Sequence, residues 1–155
     1  RKTAARPEAI GVDEAVAGAL LLIGSRARQL GVTIEREGAS ARIRVVAERV
    51  RLEQVLVNLL QNALEALENR PDGVIRLGVH TTGRRVRITV ADNGPGLAAE
   101  TAATLFTPFV TTKPNGLGLG LVISRDLITE FGGELTLKEA RDGGALFVIS
   151  LKRAA

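Results

Sequence analysis

The chain of 155 residues has no cysteine, methionine, tryptophan or tyrosine, and its one histidine is His80. Without thiols there are no disulfides, no thiolate metal sites and no thiol catalysis. A single histidine excludes a histidine-rich metal centre, and no conventional thiol or histidine triad can be assembled. Chemistry is left to carboxylates, amides, hydroxyls, lysine, arginine or a bound metal. Four phenylalanines are the only aromatic residues, too few for a platform on which bases stack. The net charge of +4 arises from 21 basic and 17 acidic residues, and the basic ones are scattered among acidic neighbours. No basic stripe forms, so nucleic acid is not an expected partner. No apolar run reaches the ~18 residues of a membrane span, and no signal-peptide pattern opens the chain. What is present, 45% hydrophobic and 25% charged residues, predicts one soluble globular domain with a substantial core. Seventeen glycines exceed the ~7% usual for proteins. They cluster late in the chain, where the backbone is expected to approach something closely.

Residues 1–11 have no periodicity and read as a tail or the end of a linker, leaving 12–155 as the domain. Asp13 is the expected N-cap of a helix through Gln29, with Gly31 in the C′ position. The alternating runs VTIERE and RIRVV flank Gly38-Ala39-Ser40 and read as a hairpin. The strongest helix spans 48–69. Leu52, Val55, Leu56, Leu59, Leu60, Ala63, Leu64 and Leu67 recur there at spacings of three and four, and Pro71-Asp72-Gly73 stops it. A second hairpin joins VIRLGVH to RVRITVAD, a short helix is expected over 98–105, and GLGLGL leads into a helix through Phe131. ELTLKE and ALFVISLK make a last hairpin. Three main helices and about six strands, mostly in hairpins, predict an α+β two-layer sandwich. Its sheet is mixed and largely antiparallel, with the helices on one face.

Three segments can carry chemistry. In the long helix, Arg51, Gln54, Asn58, Asn62, Glu65 and Asn69 form one stripe roughly opposite the leucines. An ordinary solvated face explains it; so does a metal site, because amide oxygens one turn apart are hard ligands suited to Mg²⁺ bridging phosphates. Asp92-Asn93-Gly94-Pro95-Gly96 ends an alternating strand. It reads as a surface turn, or as a carboxylate accepting from an exocyclic amine while Gly94 and Gly96 let a flat ring approach. Thr111-Thr112-Lys113-Pro114-Asn115-Gly116-Leu117-Gly118-Leu119-Gly120 runs into a helix start. It is a glycine hinge, or an anion site built from free N–H groups and the helix dipole, with Lys113 adding a full charge. It lacks the Gly-Lys-Ser/Thr of a Walker A loop and the spacing of a dinucleotide fingerprint. The irregular stretch from Phe106 to Asn115 is long enough for a lid, with Phe106 and Phe109 as apolar anchors.

Over about residues 12–152 the chain resembles the catalytic and ATP-binding domain of sensor histidine kinases, part of the GHKL group with gyrase, Hsp90 and MutL. NLLQNALEA (58–66) resembles the N box, DNGPG the G1 box, LFTPF (105–109) the F box and GLGLGL the G2 box. The style is nearest to nitrogen-regulatory and C4-dicarboxylate-sensing kinases. The resemblance implies the Bergerat fold with an ATP lid, and Mg²⁺ and ATP as cofactors. By it, Asn62 matches the Mg²⁺-binding asparagine and Asn58 the amide that helps hold metal and phosphates. Asp92 matches the adenine-binding aspartate, with Gly94 and Gly96 beside the base. Gly116, Gly118 and Gly120, with Leu117 and Leu119 between them, match the phosphate-binding G2 box. Thr111, Thr112 and Lys113 fall in the lid, where Lys113 would stabilise the triphosphate.

Hydrolytic members of the group carry a glutamate at the place of Asn58, and an asparagine cannot take a proton from water. The chain is therefore expected to hold ATP for transfer to another nucleophile. Glu65 and Ala66 stand where many sensor kinases have lysine and an aromatic, and Gly144-Ala145-Leu146-Phe147 lacks the threonine of a G-T-x-F pattern. His80 lies near a strand end, outside any phosphoacceptor context. The resemblance implies a phosphoacceptor histidine on a separate dimerisation domain, then a response regulator. This chain would be a monomeric, cytosolic portion of the sensor, and residues 1–11 what remains of the connection. A non-catalytic nucleotide-sensing domain and a self-sufficient ATPase are the alternatives, with an anti-sigma-factor kinase as a minor variant.

Overall fold

A strand whose alternate residues are apolar must lay one face on something dry, and three strands of this chain do so side by side. The computed structural model describes residues 6–38, 42–107, 120–141 and 143–155. Its elements are β1 (Glu8–Gly11), α1 (Val12–Leu30), β2 (Thr33–Glu37), β3 (Arg44–Ala47), α2 (Arg49–Ala66), β4 (Val74–Thr82), β5 (Arg85–Asp92), α3 (Ala99–Thr104), α4 (Gly120–Glu130), β6 (Glu134–Glu139) and β7 (Ala145–Lys152). A five-stranded sheet has the order β2-β4-β5-β7-β6; β2 is parallel to β4 and the other neighbours are antiparallel. Ile75, Leu77 and Val79 of β4, Val86, Ile88 and Val90 of β5, and Phe147, Ile149 and Leu151 of β7 form the buried face. The reverse face carries polar residues such as Arg76, His80, Arg87 and Ser150.

The apolar face is covered by α2, which packs on β4 and β5 and is flanked by α1 and α4. Its three- and four-residue spacing of Leu52, Leu56, Leu59, Leu60 and Leu64 puts all five in the core, each worth about 1.5–3 kcal/mol of burial. Glu48 caps the helix, its carboxylate accepting from the Arg51 N–H at 2.8 Å. This is the α+β two-layer sandwich expected, with a mixed, largely antiparallel sheet and three main helices on one side. The second and last hairpins and the short helix after the Asp92 loop stand as read.

Some local expectations are corrected by tertiary partners. β2 and β3 are not a hairpin: β2 joins the main sheet parallel to β4, and β3 pairs antiparallel with β1 in a separate two-stranded sheet. Composition explains the parting. Only Ile34 of β2 is even half-buried, which suits an exposed edge, whereas β3 buries Val45 and Ala47 fully. The unpatterned residues 1–11 include β1, whose Ile10 is buried. Asp13 is not the N-cap of α1. That position is Gly11, with no side-chain cap, while Asp13 sits in the first turn and accepts from Arg36 Nη2 at 2.9 Å. Gly31 does close the helix, in the left-handed conformation at φ 69°.

Candidate functional site

β5 puts a carboxylate where its alternation leads toward the core. Val86, Ile88, Val90 and Asp92 all turn to the helix side, and Asp92 is only 5% exposed. The Gly94 N–H donates to Asp92 Oδ1 at 2.9 Å, and the Ala145 N–H reaches the same oxygen at 3.4 Å. No described residue donates to Oδ2. Burial pushes the Asp92 carboxyl above the ordinary aspartate value; the bonds from Gly94 and Ala145 and the charge of Arg70 pull the other way.

The loop around Asp92 is held from both sides. Asn93 Oδ1 accepts from the Val74 N–H at 2.8 Å and its Nδ2 donates to the Asp72 carbonyl at 3.0 Å, tying the end of β5 to the start of β4. Just before β7, a Cβ at Gly144 would overlap both the Asp92 carbonyl and Oδ1. Only glycine lets that turn press so closely on the carboxylate. Gly94 sits below the last turn of α2, near the Ala66 carbonyl, and Gly96 turns beside the Gly143 carbonyl.

The polar stripe of α2 is divided by its neighbours. Asn58 and Asn62 are half-buried, whereas Gln54, Glu65 and Asn69 are exposed. Glu65 leans to the α1 side, lining a groove with Leu22, Arg26, Gln61 and Glu68. Asn58 faces α4, which runs antiparallel to α2: Arg51 Nη1 lies 3.9 Å from Glu130 Oε2, and Asn58 Nδ2 donates to Ser124 Oγ at 3.1 Å. A Cβ at Gly120 would come within 2.7 Å of Asn58 Oδ1. The described start of α4 at Gly120 thus lies directly against the amide.

From Ala66, beside Gly94, back to Asn58 the helix rises about 12 Å. A buried carboxylate stands at one end of that run and the described start of α4 at the other. An amine-bearing ring fits the first and an anion the second. Among the described residues no group of three His, Cys, Asp or Glu can hold a metal. The donors that fit a hard cation are the amide oxygens, which suit one bringing phosphate ligands of its own. Phe106 follows α3 and packs against the core, with the Arg125 guanidinium 5.1 Å from its ring centroid. His80 lies on the opposite face of the sheet, on the side of Gly78 and Thr89, away from Asn58.

Of the residues expected from sequence, the structure brings Asn58 and Gly120 into contact, sets Asn62 on the same helix and gathers Asp92, Gly94 and Gly96 at its far end. Phe109, Thr111, Thr112, Lys113, Gly116, Leu117, Gly118 and Leu119 lie outside the described residues. Three contributors were not anticipated: Asn93, Ser124 and Gly144. Ser124 and Asp92 are the buried polar residues of the described chain; a serine in mid-helix gives no sequence signal until its neighbour is known.

A family model described as histidine kinase-, DNA gyrase B- and HSP90-like ATPase matches residues 47–155. The C4-dicarboxylate transport sensor protein DctB of Rhizobium meliloti (strain 1021) is 43% identical over 141 residues, 91% of this chain and 22% of that protein. The chain spans between 20% and 31% of the length of the curated relatives it matches. Among solved structures, a nucleotide-free catalytic domain of the histidine kinase ThkA superposes with a TM-score of 0.86 at 31% identity, covering 96% of each chain. ThkA in complex with the response regulator TrrA gives 0.82 at 30% identity, over 97% of this chain and 42% of that one.

Proposed function

The chain belongs to the histidine kinase-, DNA gyrase B- and HSP90-like ATPase family, and from that premise we propose that it binds Mg²⁺-ATP as the catalytic domain of a sensor histidine kinase. Its γ-phosphoryl group is donated to a histidine on a separate dimerisation domain, from which a response regulator is served. One observation carries the reading: buried Asp92 stands beside the last turn of α2, and the Asn58–Gly120 contact lies about two turns back along the same helix.

In this reading the adenine amine donates to Asp92 Oδ2, and Gly94 and Gly96 border the base. Asn62 and Asn58 hold Mg²⁺ and the phosphates, and the start of α4 at Gly120 takes anionic oxygen. Gly116, Leu117, Gly118, Leu119, Thr111, Thr112 and Lys113 complete the phosphate side by the sequence pattern. Held there, Mg²⁺ would supply charge neutralisation for the triphosphate. The residues of this chain act by positioning and by electrostatics, as phosphoryl transfer requires. Asn58 cannot serve as a base, so water bound beside it is not activated. The acceptor comes from outside, since His80 sits on the far side of the sheet. No described helix is long and apolar enough to cross a membrane; the proposed place of the chain is the cytosolic part of its sensor.

The test is to incubate the chain with ATP labelled in the γ-phosphate, with and without the dimerisation domain of its full-length protein. Label should appear on a histidine of the added domain, with only trace hydrolysis by the chain alone. Rapid hydrolysis without acceptor, or binding without transfer, would reject the kinase reading.

A further inference from the structure

β5 opens with arginine at alternate places, and the alternation that buries Val86 and Ile88 turns Arg85 and Arg87 to the open face of the sheet. There Arg85 stands opposite Lys152 of β7, and Arg87 opposite Ser150. Backbone contacts bring three more basic residues to the same end. The Arg153 N–H donates to the Arg84 carbonyl at 2.7 Å, and the Ala154 N–H to the Arg44 carbonyl at 2.8 Å. Arg44, Arg84, Arg85, Arg87, Lys152 and Arg153, far apart along the chain, thus form one cluster. Arg85 is half-buried, its Nε donating to Ser150 Oγ at 3.1 Å, and the other residues of the cluster are exposed. Among the described residues no carboxylate pairs with any of them. Glu134, opposite Ser150, and Glu14, beside Gly11, stand at the margin. In a chain of 21 basic and 17 acidic residues this is a focused positive pole. It lies at the start of β5, about 23 Å from Asp92 at the end of that strand.

The chemistry of the cluster selects its partner. All but Lys152 are arginine, whose planar fork matches phosphate oxygens. A folded protein partner needs an apolar or aromatic anchor at the centre of its contact. The exposed large apolar side chains of the described residues, Leu21, Leu22, Val50, Leu97 and Ile123, lie on α1, α2, α4 or the loop after β5, outside the cluster. The described phenylalanines are buried or half-buried, so single-stranded nucleic acid finds no stacking surface. Charge without an apolar anchor is what a layer of anionic headgroups requires. We propose that this end of the sheet docks on an anionic phospholipid bilayer, with the Asp92 end turned away from the lipid.

The experiment sediments the chain with vesicles of pure phosphatidylcholine and with vesicles of equal parts phosphatidylcholine and phosphatidylglycerol. It should bind the anionic vesicles and not the neutral ones. Binding should vanish as salt rises from about 0.1 to 1 M, where the screening length falls from ~10 to ~3 Å. Each basic residue beside an anionic bilayer strengthens binding about fivefold, so Arg84→Gln, Arg87→Gln and Arg153→Gln together should weaken it about 100-fold. A control with the same loss of charge on the helical side, Arg26→Gln, Arg28→Gln and Arg49→Gln, should weaken it about twofold at most. Thermal melts report whether each variant is folded, and the lipid and salt dependence of the wild type stand without them. No wild-type binding to the anionic vesicles, or an equal loss in both folded variants, would overturn the proposal. Tighter binding to a mixed-sequence DNA duplex than to the vesicles at equal phosphate would also overturn it, making the pole a nucleic-acid surface.

Discussion

Asp92 is the residue on which most of the site turns. It occupies the fourth place of a row whose other members are Val86, Ile88 and Val90, and burying a carboxylate there opposes folding unless something offsets it. The Gly94 and Ala145 N–H groups offset part of the cost, and the carboxyl still stands above the ordinary aspartate value because burial dominates. A raised acid value means the folded state binds the proton more tightly. Its contribution to stability is therefore present below the unfolded value and lost as pH rises through the folded one. Asp92→Asn retains the acceptor for both N–H groups and removes the charge. At pH 7 the nucleotide-free variant should melt no lower than wild type, and its gain should shrink as the medium is acidified. The same variant should lose about 1–3 kcal/mol of ATP affinity with the charge-assisted bond. Wild-type affinity should fall on acidification through the raised value, and the variant should lose that dependence; thermal melts and calorimetry between pH 4 and 8 read all of this. Asp92 was legible in the sequence as a polar residue ending an apolar alternation. Ser124 and Gly144 were not, because their roles lie in contacts 66 and 52 residues away along the chain.

Among elements, the long helix could be read nearly to its ends, since one face of leucines at helical spacing has few other ways to be buried. The strands with their partner next in sequence, β4 with β5 and β6 with β7, were equally plain. β2 and β3 were not, because a turn-like segment between alternating runs says nothing of which sheet each run will join. The pairing of β3 went instead to Glu8–Gly11, a segment too short and too little patterned to declare itself. That pairing gives a test against the view of the N-terminus as a loose tail. A chain beginning at Val12 loses the burial of Ile10 and the β1–β3 ladder, and should be destabilised by about 2 kcal/mol or more in urea unfolding. Unchanged stability would return β1 to the status of a tail. Within the core, Leu59→Ala should cost about 2–5 kcal/mol, measured in the same way, with the slope of the transition unchanged.

At the scale of the molecule, the sheet is a platform and the site lies in the helical layer above it. Asp92 enters from the end of a central strand, the amides from the helix crossing that strand, and Gly120 from a helix antiparallel to that one. No two of these are neighbours in sequence, yet each is fixed by an element anchored in the same core. The proposed ligand would be held at both ends by this arrangement while the only histidine faces the other way, which suits the reading of a domain that holds a phosphoryl donor for an acceptor elsewhere. The most direct measurement is a crystal structure of the chain with Mg²⁺ and a non-hydrolysable ATP analogue. The account predicts the adenine amine within hydrogen-bond distance of Asp92 Oδ2, and the metal on the Asn62 and Asn58 oxygens beside the start of α4. A purine bound away from Asp92, or phosphates that leave the turn at Gly120 untouched, would contradict it.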